Sequence, residues 1–207
     1  MPLFSLIDHS PEHKIAVWKI EETVEELQGQ LSISNSDREV VDSFKLDTRK
    51  KEWLASRLLL QKILGFYPVI EYSDNGKPFL KQDRPFISIS HTRGYAAVSV
   101  SDKPTAIDIE ICSDRVVKVA NRFVHVDEEE YIQDDHLTEY LTVLWSAKEA
   151  LYKYYDEYGV IFKKQFKVYP FEIRQKGDLS SDFFHNEQIR SLNLCYEVND
   201  CFTLVYC

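Results

Sequence analysis

The stretch Thr105 to Ile111, TAIDIEI, sets the reading of this chain. Ile107, Ile109 and Ile111 alternate with Asp108 and Glu110, and a period of two puts the isoleucines on one face of a β-strand and both carboxylates on the other. At a rise of roughly 3.3 Å per residue, side chains two apart start ~6 to 7 Å from each other, near enough to reach one hard cation. The same pattern also describes a half-buried strand whose wet face happens to be acidic. On each side of this strand the chain repeats one plan: a long helix, a nearby glycine (Gly65 or Gly159), then antiparallel strands. The expected fold is therefore α+β, with two similar lobes, residues 1–104 and 105–207, each a long helix on an antiparallel sheet. The strand opens the second lobe, and its carboxylates are expected to face a cleft between the two.

Upstream, Phe4 to Ile7 and Lys14 to Ile20 read as strands and Glu21 to Gln30 as a helix. Ser36 followed by Glu39 has the form of a capping box, opening a helical stretch that breaks near Asp47 and Thr48 and stops at Gly65. Within it Trp53, Leu60 and Leu64 make an apolar stripe that includes Arg57, either a snorkelling side chain or a phosphate contact. Val69 to Tyr72, a turn at SDNGKP, Phe86 to His91 and Tyr95 to Ser101 form a β-rich block.

Composition narrows the function classes. With 207 residues, 44% of them hydrophobic, the chain can bury a sizeable core. No apolar run reaches the ~20 residues of a membrane helix, and Asp8, His9, Glu12, His13 and Lys14 stand where a signal peptide is apolar, so a cytoplasmic location is expected. The four cysteines (Cys112, Cys195, Cys201, Cys207) contain no CxxC pair and read as reduced thiols without a zinc site. A formal net charge of −9 argues against nucleic acid as the main partner, so any phosphorylated ligand needs a local basic cluster.

Downstream, Arg115, Lys118 and Arg122 share one helical face, and the acidic stretch Asp127 to Asp135 reads as a polar loop. A second long helix is expected over His136 to Tyr155, and strands over Phe166 to Arg174, Asn193 to Val198 and Cys201 to Tyr206, with turns at QKGD and at Asn199 and Asp200. On the second helix Leu141, Leu144, Leu151, Tyr152 and Tyr155 define an apolar arc at ~100° per residue, with Lys148 near its middle. A lysine there is costly unless it is paired or opens onto a cleft. Glu149 lies at the edge of the arc with Lys153 at i+4, which is either ordinary helix surface or a carboxylate and ammonium set suited to a metal-bound phosphate ester.

Four segments in order, GKPF (Gly76 to Phe79), SISHT (Ser88 to Thr92), AIDIE (Ala106 to Glu110) and WSAKEALYK (Trp145 to Lys153), resemble the 4'-phosphopantetheinyl transferases, in particular the large pseudo-dimeric type. The resemblance implies Mg2+ ligands at Asp108, Glu110 and Glu149, with Glu149 also helping to deprotonate an acceptor serine. It implies coenzyme A contacts at Arg57, Lys77, Pro78, Ser90, His91, Asp108, Lys148 and Lys153, and catalytic roles for Glu149 and Lys153. The implied partners are coenzyme A and an acyl or peptidyl carrier protein, with no nucleic acid and no membrane, the chain acting as a monomer. Two positions depart from the family pattern: Ala106 replaces a usual glycine, and Val40 stands where a cation usually meets the 3'-phosphate, leaving Arg38, Arg49 or Lys50 as substitutes. A coenzyme A or nucleotide sensor without transfer activity is the alternative; a different Mg2+-dependent phosphotransferase is disfavoured by the lack of a glycine-rich phosphate loop.

Overall fold

The helices and strands of this α+β chain fall into two units, Met1–Thr105 and Ala106–Cys207, in a computed structural model that describes residues 3–81, 84–132 and 135–207. No helix among the described residues is long and apolar enough to cross a membrane.

In the first unit, β1 (Leu3–Ser10), β2 (His13–Lys19), β5 (Phe86–Thr92) and β6 (Tyr95–Ser101) form an antiparallel sheet in the order β1-β2-β6-β5. The long helix α3 (Asp47–Leu64) lays Leu54, Leu58 and Leu59 onto Ala16, Trp18, Ala96 and Val98 of this sheet, all of them buried. The small side chains at Ala16 and Ala96 let a leucine-rich helix approach the strands closely. Helix α1 (Val24–Gly29) opens with a reciprocal capping box, Thr23 Oγ1 accepting from the Glu26 amide and the Glu26 carboxylate accepting from the Thr23 amide. Helix α2 (Asn35–Ser43) begins two residues earlier than its sequence signal. Ser34, not Ser36, is the cap, accepting from the Asp37 amide, so the expected Ser36/Glu39 box does not form. The break between α2 and α3 lies at residues 44–46, with Phe44 and Leu46 extended, slightly before Asp47. Helix α3 ends on Gly65, whose φ of 78° is readily reached only without a side chain. Strands β3 (Ile70–Tyr72) and β4 (Pro78–Leu80) pair across the SDNGKP turn; β4 has no strand signal of its own, because three residues are too few to show a period.

In the second unit, β7 (Ile107–Glu110), β8 (Phe166–Val168), β9 (Lys176–His185), β10 (Gln188–Val198) and β11 (Thr203–Tyr206) form an antiparallel sheet in the order β7-β11-β10-β9-β8. Helix α5 (Leu137–Tyr155) packs against it through Leu141, Leu144, Ala147 and Leu151, against Leu179, Phe183, Leu194 and Val205. The short helices α4 (Arg115–Val119) and α6 (Phe162–Gln165) flank it. Two expectations need correction. The strand expected to Arg174 stops at Val168, and QKGD leads into β9 instead of turning. Tyr196 explains both: its hydroxyl donates to the Glu172 carbonyl at 2.6 Å and accepts from the Arg174 amide at 3.2 Å, pulling that segment off the ladder. Its ring crosses where a Cβ on Gly177 would lie, 2.6 Å from Cε1. Glu128 is also misread as loop surface, because it is 1% exposed.

Candidate active site around β7 and α5

Strand β7 is an edge strand, paired on one side with β11 in the register Asp108 to Val205 and Glu110 to Thr203. Alternation does the expected sorting: Ile107 and Ile109 are fully buried, and Asp108 and Glu110 share the other face. Asp108 is nonetheless only 4% exposed, so its carboxylate is held in a largely dry environment. Its Oδ1 accepts from Lys153 Nζ at 2.7 Å, and the same ammonium donates to the Ile107 carbonyl at 3.0 Å. Lys153 thus reaches from α5 to β7 and meets a β7 carboxylate, where helical spacing alone paired it with Glu149.

Glu149 sits one turn before Lys153 on α5. Its carboxyl is pushed up to about 7, first by burial and then by the negative charge of Asp108, with Glu110 adding to the rise and Lys153 opposing it. Asp108, Glu110, Glu149 and Lys153 therefore share one electrostatic field. Among the described residues no group of three or more His, Cys, Asp or Glu side chains is gathered into a formed metal cage. The donor chemistry nevertheless fits a hard cation: the set is carboxylate oxygen, and the charges of Asp108 and Glu110 add to the burial that raises Glu149.

Lys148 is placed otherwise than the resemblance implies. It is fully buried, and Nζ donates to the Phe123 carbonyl at 2.7 Å, the Phe166 carbonyl at 2.9 Å and Glu128 Oε2 at 2.7 Å. A lysine has three donors, so none is left over for a coenzyme A phosphate. Trp145 packs its ring against Phe123 and Phe162 on the border of the same core.

In the first unit, Arg57 is 5% exposed, stacked 3.8 Å from the centre of the Trp53 ring, with its guanidinium donating to Ser56 Oγ at 3.0 Å and to the Tyr72 hydroxyl. Burial pulls its pKa down, opposed mainly by Tyr72. Lys77 and Pro78 lie at the end of the β3–β4 turn, where Lys77 accepts from the Ser73 amide through its carbonyl. Ser90 is buried on β5, and His91 beside it meets two side chains of α3: Arg49 Nη1 and, through Nδ1 at 3.3 Å, Glu52. Arg49 and Glu52 are themselves 3.3 Å apart. Val40 is exposed on α2, and Lys50 lies 3.8 Å from Asp47. Arg115 and Lys118 on α4, and Arg122 just beyond it, are exposed.

Residues 104–205, the part of the chain that holds β7 and α5, match the family model described as the 4'-phosphopantetheinyl transferase superfamily. This segment, just under half of the chain, carries its likeness to that superfamily. It is similar to the 4'-phosphopantetheinyl transferase gsp of Aneurinibacillus migulanus, 34% identical over 87 residues, which cover 39% of this chain and 35% of that protein. To the 4'-phosphopantetheinyl transferase AcpT of Salmonella typhimurium it is 29% identical over 112 residues, 51% of this chain and 58% of the relative. To the 4'-phosphopantetheinyl transferase psf-1 of Bacillus pumilus it is 33% identical over 89 residues, 41% of this chain and 38% of the relative. The chain thus covers less than two thirds of the length of each of these superfamily members.

Two residues at these sites escape the sequence reading. Glu128 is foreshadowed only by Lys148, whose place on an apolar arc demands a buried partner without saying which of several acidic residues supplies it. Glu52 carries no local signal, since it meets His91 only once α3 and β5 pack together.

Proposed function

We propose that the protein moves the 4'-phosphopantetheine arm of coenzyme A onto a serine hydroxyl of an apo acyl or peptidyl carrier protein, in a Mg2+-dependent reaction that releases adenosine 3',5'-bisphosphate. The observation that carries this reading is the bond from Lys153 on α5 to Asp108 on β7, which brings the Asp108 and Glu110 strand to the helix that bears Glu149. It lies within the segment that matches the superfamily.

Asp108, Glu110 and Glu149 are the residues that would hold the Mg2+ ion, and when bound it supplies charge neutralisation for the diphosphate. Lys153, held on Asp108, adds positive charge beside the diphosphate where negative charge develops. Glu149 accepts the proton of the carrier serine. The serine oxygen then bonds to the phosphorus on the pantetheine side, and that phosphorus loses its bond to the bridging oxygen, which leaves with adenosine 3',5'-bisphosphate. Arg57, Lys77, Pro78, Ser90 and His91 are assigned to coenzyme A, and Arg49, already against His91, is the substitute cation we favour for the 3'-phosphate that Val40 does not meet. Arg115, Lys118 and Arg122 are assigned to the carrier, whose acidic surface they would offset in an otherwise acidic protein.

Incubation with coenzyme A, Mg2+ and a panel of apo carrier proteins tests this. Intact-mass spectrometry is expected to show a phosphopantetheine adduct on the serine of at least one carrier. Tight coenzyme A binding with no adduct on any carrier would instead support a sensor.

A further inference from the structure

The Lys148 and Glu128 pair is fully buried, Lys148 at 0% and Glu128 at 1% side-chain exposure. Ion pairs in such places are weak sources of stability, because removing both charges from water cancels much of their attraction and apolar replacements are often as stable. What this pair does have is reach. Lys148 draws on the Phe123 and Phe166 carbonyls. Glu128 accepts from the His125 amide at 2.7 Å through Oε2 and from the Val168 amide at 2.8 Å through Oε1. One charged pair thus ties α5 to the segment after α4 and to strand β8.

These ties bear on the active site through their position. The segment bearing Phe123, His125 and Glu128 is the continuation of the chain that leaves β7 after Glu110. Lys148 immediately precedes Glu149, while Lys153, one turn further along α5, is fixed to the Ile107 carbonyl and Asp108. Glu149 is thereby held between two anchored rungs of the helix, one tied to the chain leaving β7 and one to β7 itself. The rotation and height of α5 at Glu149 follow from both.

We propose that Lys148 and Glu128 are positioning residues, a buried brace that holds Glu149 at its working distance from Asp108 and Glu110. The proposal rests on the transfer reading above and adds to it the source of that geometry. Neither residue touches coenzyme A or the reacting atoms; each acts through the place it gives Glu149.

The test uses the whole chain, with Glu128→Gln, close in shape to the native residue but without the charge, and Lys148→Met. Circular dichroism and a thermal melt first establish that each variant is folded at the assay temperature. Manganese affinity is then read by water-proton relaxation without substrate, and transfer kinetics by intact mass. A folded variant is expected to lose about tenfold or more in kcat and in Mn2+ affinity, the range in which supporting residues of metal sites act, with KM for coenzyme A moving less than about threefold. Unchanged kcat and Mn2+ affinity in a folded variant would overturn the proposal, as would a loss confined to KM. Unfolding of both variants would assign the pair to folding alone and overturn it too. A wild-type protein that neither binds Mn2+ nor modifies any carrier would instead refute the transfer reading, so the two failures are told apart.

Discussion

In the proposed transfer, Glu149 is the one carboxyl that both meets the cation and takes the serine proton. Burial raises it first and the Asp108 charge second, with Glu110 adding, and removing its charge while keeping its shape separates proton transfer from binding. Glu149→Gln is expected to leave coenzyme A affinity within about threefold, read by calorimetry, and to lower the transfer rate by about a hundredfold or more. His13 in the first unit gives a different kind of residue-scale prediction. It is buried beside Ser99, at 2.8 Å, and Thr105, and burial together with His9 lowers its pKa to about 4, against about 6.5 in the unfolded chain. The unfolded state therefore takes up a proton as pH falls below 6.5 while the folded state does not, and the neutral form's contribution is lost progressively down to about 4, with a slope of at most about 1.4 kcal/mol per pH unit. The difference in melting temperature between wild type and His13→Gln, followed from pH 7 to pH 5, is expected to shrink on acidification; a constant difference would show that His13 does not carry this dependence. The difference matters, because groups common to both proteins, Glu149 included, cancel in it.

At the scale of elements, the sheet of the second unit depends on a corner that carries no obvious sequence label. Gly177 leaves room for the Tyr196 ring, and Gly177→Ala puts a methyl group 2.6 Å from it, on backbone that is not otherwise special. An overpacking cost of about 1–3 kcal/mol is expected, seen as a lower denaturation midpoint. Tyr196→Phe, losing the bonds to Glu172 and Arg174, should cost about 1–2 kcal/mol. Strand β9 was illegible for a related reason. Its turn to β10 uses Asn186 and Glu187, both at positive φ, and a turn without glycine gives little punctuation; β5 and β6 were legible because Gly94, at φ 78°, marks theirs. Helix α5 and the alternation of β7 were legible because each obeys a period fixed by backbone geometry. The route of Lys148 was half legible: the cost of burying it was readable, whereas its partner Glu128 depends on how the chain folds back from residue 123. On α4 and the turn after it, reversing Arg115, Lys118 and Arg122 together to glutamate is expected to raise KM for the carrier severalfold with coenzyme A KM unchanged; equal carrier KM would remove these residues from docking.

For the whole molecule, a net charge of −9 means that ligands as acidic as coenzyme A must be met by local cations and not by the overall field. Cations of this kind occur in both units: Arg49 against His91 and the buried Arg57 in the first, Lys153 on Asp108 in the second. The likeness to the superfamily lies in the second unit, and the site that carries the proposed chemistry lies there too. The transfer rate as a function of free Mg2+, measured by intact mass on a responsive carrier for wild type and Asp108→Ala, tests this centre most directly. Wild type is expected to require the ion, saturating with Mg2+ and losing transfer in chelated samples, and Asp108→Ala to show no transfer at any Mg2+ concentration. Transfer by wild type that persists undiminished after chelation, or an Asp108→Ala protein with the wild-type Mg2+ response, would contradict a carboxylate-held cation at β7.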